Sequence, residues 1–225
     1  MIITTKKDPE EVIGHLEGRR SVYLFGCNSC AEQCQTGGEK ELKEMSALLA
    51  GRGFEVLGYS LVDETCYSQL VAREYRRRPE LKEADSVVVL SCGAGVKTVA
   101  EVAEEDQPVI PALDSLFLAS VERVGRFFEG CSLCGECVLA VTGAICPHTE
   151  CPKGLLNGPC GGVAAGKCEV DMENDCAWVK IYRRLKAQGR LDVMKKVAPP
   201  KDHSCRRQPR KVLLRPSPEE RKKGG

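Results

Sequence analysis

Apolar positions fall into short runs and helical stripes over the first half of the chain and thin out over the second. Asp8-Pro9-Glu10-Glu11 reads as a helix start, with Asp as N-cap, Pro in the first turn, and Val12, Ile13 and Leu16 as the apolar face. Ser21 to Phe25 is a compact strand. Thr36-Gly37-Gly38-Glu39 carries a capping-box pattern and opens a helix whose stripe is Leu42, Met45, Leu48 and Leu49; Gly51 and Gly53 end it. Phe54 to Val62 reads as a second strand, and a helix over Tyr67 to Arg77 is limited by Pro79. The run Ser86 to Ser91 is apolar at every interior position, the pattern of a strand buried on both faces. A helix with Val96, Val99, Ala100 and Ala103 on one side follows, and Val109-Ile110 is a short fourth strand. The alternation of strand and helix predicts an α/β fold over residues 1–120, a small parallel-sheet, Rossmann-like domain with helices on both faces.

The pattern changes after residue 120. Residues 121–198 have few large apolar side chains and many Gly and Pro, and eight cysteines stand between Cys131 and Cys176. So little apolar surface cannot build a core of useful size, so metal clusters or cross-links are expected to hold this module. Trp178, Ile181, Tyr182 and Leu185 follow a 3.6-residue period and predict a closing helix. Residues 199–225 are rich in Pro, Arg and Lys without periodicity, which predicts a basic, extended tail.

Composition narrows the function classes. The net charge is +1, so no bulk attraction to nucleic acid or membrane is implied. The start, M-I-I-T-T-K-K-D, lacks the apolar run of a signal peptide, and no stretch approaches the roughly 18 apolar residues of a membrane span. A cytoplasmic protein is the expectation. In a reducing cytosol, 14 cysteines are better evidence for metal ligands than for disulfides.

The cysteines fall into sets. Cys27, Cys30 and Cys34 follow the first parallel strand, and Cys92 follows the run Ser86 to Ser91. In a parallel sheet these loops meet at the carboxyl edge, where ligands bind. Three thiolates from one loop and one from its neighbour suit a [4Fe–4S] cluster, which is anionic and would be favoured by the positive end of the helix starting near Gly38. Cys92 is preferred as the fourth ligand because glycines beside it permit close backbone approach; Cys66, after the second strand, competes. Structural zinc is the rival at this first set, but the second C-x2-C knuckle that zinc prefers is missing. Gly93-Ala94-Gly95 is a weak phosphate-loop signal, since Thr98 takes the third glycine's place. In the second module Cys131, Cys134 and Cys137 form three parts of a ferredoxin run, with Cys146 before Pro147 as a displaced fourth. Cys151, Cys160, Cys168 and Cys176 remain for another metal. Zinc is a rival in one of these sites, with His148 as a further candidate ligand. Cys205 reads as a plain thiol.

The string C-x2-C-G-x-C, then I-C-P, C-P-K-G-L-L-N-G-P-C-G-G, K-C-E-V and C-A-W with I-Y-x-R-L resembles the methylenetetrahydrofolate reductase C-terminal family. The earlier F-G-C-N-S-C-A-E-Q-C-Q-T-G-G-E and S-C-G-A-G-V-K-T-V-A resemble it too, and point to its small MetV-type subunit, found in acetogens. The resemblance implies a partner: a MetF-type catalytic subunit, a TIM barrel binding FMN and the folate. That pair reduces 5,10-methylenetetrahydrofolate to 5-methyltetrahydrofolate in the Wood–Ljungdahl pathway. This chain would then be a non-catalytic subunit passing electrons to that flavin through two or three [4Fe–4S] clusters, with zinc in one C-terminal site as an option. Heterodisulfide-reductase-like subunits dock onto some relatives. The residues agree with a carrier, because no nucleophile–base pair, no catalytic carboxylate pair and no complete nucleotide fingerprint is present. The rival reading is a redox-silent zinc module that anchors the catalytic subunit. A third, a self-sufficient radical enzyme, is disfavoured by the C-x2-C-x3-C spacing.

Overall fold

The computed structural model describes residues 1–206, 208–210, 212 and 214. Two compact units divide the chain, Met1–Gly130 and the part from Cys131 onward. The first unit opens with β1 (Ile2–Lys6) and α1 (Pro9–Gly14). As the Asp-Pro signal predicts, Asp8 caps α1: its carboxylate accepts the Glu10 N–H at 2.9 Å. Then come β2 (Ser21–Cys27), α2 (Cys30–Gln33), α3 (Glu39–Gly51), β3 (Glu55–Val62), α4 (Ser68–Arg77) and α5 (Pro79–Glu83). They are followed by β4 (Ser86–Leu90), α6 (Gly93–Val102), β5 (Val109–Pro111), β6 (Leu113–Arg123) and β7 (Arg126–Cys131).

β3, β2, β4 and β5 form a parallel sheet in that order, with Cys27 opposite Val62 and Gly26 opposite Leu90 at its carboxyl edge. Alternation along the strands sends side chains to opposite faces. Val22, Leu24, Val88 and Leu90 pack with Leu16, Leu42 and Leu49, on the side of α1 and α3. Tyr23, Phe25, Val87 and Val89 pack with Val71, Tyr75 and Val99 on the other. Both faces are covered, so β2 and β4 are buried along their whole length, which is why their sequences read as unbroken apolar runs.

The capping pattern shifts by two residues. Gly38 precedes α3, and its N–H donates to the Glu41 carboxylate at 3.1 Å. Thr36 is instead buried in a pair with Thr4, Oγ1 to Oγ1 at 2.6 Å, and donates to the Ala31 carbonyl. The helix ends at Gly51, and Gly53 takes the left-handed φ of +90° that turns the chain into β3. On α6, Ala100 is exposed and Val99 is buried.

A second, antiparallel sheet, ordered β1-β6-β7, has no counterpart in the expected architecture. Ile2 pairs with Leu118 and Lys6 with Leu113. The pairing joins segments far apart in sequence. Only Leu113 and Ala119 of β6 are buried, so its alternation is faint.

Among its described residues the second unit has little regular structure: α7 (Pro147–Glu150), α8 (Ala177–Ala187) and two short 3₁₀ turns, at Leu191–Lys195 and Ser204–Arg206. Its core is small: Ile145, Cys176, Trp178, Ile181 and Leu185. The closing helix forms as its period predicts, except that Tyr182 faces out, 44% exposed. Of the expected tail over 199–225, residues 207, 211, 213 and 215–225 lie outside the described residues.

Candidate metal centres

The sheet's carboxyl edge gathers the first set of thiols. Cys27 ends β2, and its Sγ lies 4.0 Å from the Asp63 carbonyl in the loop after β3. Cys92 caps α6 and accepts the Val96 N–H. Both are buried. Cys66 joins them: partial burial pushes its thiol pKa up, and Cys92 and Cys27 beside it push the same way. Thr65 and Thr98 fix that loop, donating to the Gly26 carbonyl at 2.9 Å and to the Cys66 carbonyl at 3.4 Å. The competing fourth ligands, Cys66 and Cys92, therefore lie at one place. Cys30 and Cys34 bracket α2 and, four residues apart, share one side of its single turn. Cys34 Sγ is 3.8 Å from the Ile2 carbonyl of β1.

The amino end of α3 lies close to Cys27, whose N–H donates to the Gly37 carbonyl at 2.9 Å. Glu41 already holds its Gly38 N–H, and a Cβ on Gly38 would overlap the Glu32 carboxylate. α6 also begins directly on a candidate ligand, its positive end abutting Cys92. Gly95 earns its place there by packing rather than by phosphate chemistry. A Cβ on it would lie 2.0 Å from Ser91 Oγ and 3.2 Å from Thr65 Cβ.

In the second unit four cysteines line one cavity of about 20 Å³: Cys151, Cys160, Cys168 and Cys176. Local structure brings them there. Cys151 ends α7, and Cys176 begins α8 while donating its N–H to the Gly166 carbonyl at 2.9 Å. Short antiparallel bridges, Ala164 to Lys167 and Lys167 to Asp175, set Cys168 close to that turn. Trp178 closes one wall and anchors its indole N–H on the Leu155 carbonyl at 3.0 Å. The space holds about one water-sized sphere. Four thiolates around one zinc ion, at about 2.3 Å each, fit such a volume.

Cys131, Cys134 and Cys137 lie on an open loop, the first and last exposed. Leu133 and Gly135 both take left-handed φ values, +53° and +85°. That conformation folds amides inward as anion-binding nests do. The Leu133 N–H accordingly points to Cys131 Sγ at 3.4 Å. Ser132 Oγ is shielded from solvent and lies beside the Cys134 thiol, whose pKa it helps to lower. A shielded hydroxyl and an inward amide beside these thiols are what a sulfur-rich inorganic core would use. Cys146 stands just before α7 and accepts the Glu150 N–H at its carbonyl.

The tail reaches this loop, which its composition did not signal. Lys201 Nζ lies 2.9 Å from Cys134 Sγ and 3.3 Å from His148 Nε2, and donates to the Glu136 carbonyl. Its hydrogen bond, more than its charge, holds the Cys134 thiol below the usual range. Burial, and then Lys201, depress the His148 imidazole. Cys205 Sγ contacts the Cys134 carbonyl at 3.4 Å. Nothing in local spacing announces Cys205, because its neighbours in space are distant in sequence.

Among the described residues no three His, Cys, Asp or Glu side chains are already drawn into a ligating geometry. Thiolates close to ligating distance only when a cation offsets their repulsion, because metal binding and final folding are one event at such sites.

Searches of curated proteins and of solved structures gave no match. A family model described as "Methylene-tetrahydrofolate reductase C terminal" matches residues 110–204, a span that contains all eight cysteines from Cys131 to Cys176, and it supports a relation of this chain to methylenetetrahydrofolate reductases.

Proposed function

We propose that this chain is the iron–sulfur electron-transfer subunit, MetV-like, of a methylenetetrahydrofolate reductase complex. The observation that carries it is the family match, which covers the whole Cys-rich segment. In this reading the chain is cytoplasmic and not itself catalytic. Its partner is a MetF-type subunit with FMN, which reduces 5,10-methylenetetrahydrofolate to 5-methyltetrahydrofolate in the Wood–Ljungdahl pathway. Heterodisulfide-reductase-like subunits are candidate donors. Among the described residues no helix is long and apolar enough to cross a membrane.

The residues divide the work. Cys27, Cys30, Cys34 and Cys92, with Cys66 alongside, would hold a [4Fe–4S] cluster at the sheet edge. Cys131, Cys134 and Cys137 would hold another on the open loop, where a carrier needs its cluster near the surface. Clusters so held supply one-electron storage and release. Around them the protein supplies N–H donors to sulfur, such as that of Leu133, and the amino end of α6. Both stabilise negative charge and raise reduction potential.

Cys151, Cys160, Cys168 and Cys176, which line one cavity, would hold zinc in the remaining site as a four-thiolate set. That observation also sustains the second reading, in which the unit only anchors the catalytic subunit. Metal analysis of anaerobically purified chain separates the two. Iron and acid-labile sulfide, a brown colour and reduced-cluster paramagnetic resonance signals, together with one zinc, are expected. Zinc alone, with no iron, would leave only the anchoring role.

A further inference from the structure

We propose that Cys205 supplies the fourth thiolate of the Cys131–Cys134–Cys137 site, in place of Cys146. This rests on the reading that the loop holds a metal centre, and extends it to a residue just beyond the family match. The loop offers three thiols, and a cage of this kind takes four. Two cysteines compete for the last place. Cys146 is tied into the start of α7, its carbonyl taken by Glu150, and it makes no polar contact with the loop among the described residues.

Cys205 is at the loop itself. Its Sγ lies 3.4 Å from the Cys134 carbonyl, and a Cβ on Gly135 would stand only 2.4 Å from it. Gly135, with its left-handed φ and no side chain, leaves the space that the sulfur fills.

The approach is held at several points. Asn157 pairs both ways with the Ala198 backbone, at 3.2 and 2.7 Å. Lys201 sits against Cys134 Sγ, the Glu136 carbonyl and His148 Nε2. Asp202 N–H reaches the Glu136 carboxylate at 3.3 Å. An ammonium held by a thiol sulfur, an imidazole nitrogen and a carbonyl occupies a position built to attract a cation. With metal bound at the thiolates, the same ammonium becomes a charged N–H donor on Cys134 and offsets the excess negative charge of four thiolates.

The full-length chain tests this by metal content and thiol reactivity. C205A is expected to lose one centre's metal per chain, and C146A to keep the wild-type content. In metal-loaded wild type, exposed Cys205 should resist iodoacetamide together with Cys131, Cys134 and Cys137, and react once a chelator strips the loop. Full metal content in C205A, or free alkylation of Cys205 in the loaded chain, overturns the assignment. If both variants lose metal, the alkylation pattern decides, since a ligand is shielded and a bystander is not. A wild-type chain with no metal on the loop would sink the parent reading as well, whereas metal retained in C205A sinks only this one.

Discussion

The two units bury apolar surface to very different extents. In the first, both faces of the parallel sheet are covered, and two apolar clusters enclose Leu24, Val88, Phe25 and Val89 without exposure to water. The second has one small cluster around Ile181 and Leu185, while Val170 and Met172 are more than half exposed. A unit with so little buried apolar surface cannot offset its chain entropy by packing alone. The contrast teaches that thiols serve different ends in the two halves. On the proposed reading, cysteines at the sheet edge serve function only, because the core there suffices, while in the second unit the same residue type would also hold the fold.

The largest effect should come from metal removal. A strong chelator is expected to make the part from Cys131 onward susceptible to protease while Met1–Gly130 persists as a resistant fragment, read by mass spectrometry; equal survival of both would end the contrast. C168S should mimic chelation. Next, Leu24→Ala in the sheet should cost about 2–5 kcal/mol in urea unfolding of the first unit, by deleting buried methyl groups. Its metal content should hold in native buffer. Trp178→Phe removes the indole donor to the Leu155 carbonyl and part of the cavity wall. A loss of about 1 kcal/mol is expected, with faster zinc release to a chromogenic chelator as the accompanying readout.

The smallest effect sharpens the picture of the first unit. Burial works to raise the Glu74 pKa, but hydrogen bonds from Arg78 and Ser60 and the nearby guanidinium charges outweigh it and hold it below the ordinary value. A lowered folded-state pKa means that the stabilisation is complete above the unfolded carboxyl value, about 4.3, and fades as pH falls through the folded value. E74Q should therefore be less stable than wild type by about 1 kcal/mol at neutral pH, the two converging in acid. A constant difference across that range would show that packing, not charge, is at work.

How much of this was legible depends on the range of the interactions involved. Runs such as Ser86 to Ser91 announce a strand because burial on both faces leaves its mark on every residue of the strand itself. Asp8 and Pro9 announce α1 because capping is a contact across two residues. The antiparallel sheet was not legible: β1 and β6 acquire meaning only by pairing across most of the first unit, and their outer faces stay wet. Tyr182 fits the apolar period of α8 yet faces solvent, because the small core fills with Trp178, Ile181 and Leu185. The apparent cap at Thr36 failed for a similar reason, since a buried partner, Thr4, claims its hydroxyl.

By itself, the amino-acid order determined the parallel strands and their helices, the position of the Cys-rich segment and the sulfur donor chemistry, since hydrophobic period, capping and residue type are local properties. Tertiary structure alone decided which thiols become neighbours. Cys66 joins Cys27 and Cys92, four others enclose one small cavity, and Cys205 returns to Cys134. The physical reason is that a thiol acts within a few ångströms, and the residues that meet at that distance are fixed by how distant segments pack, not by their spacing along the chain.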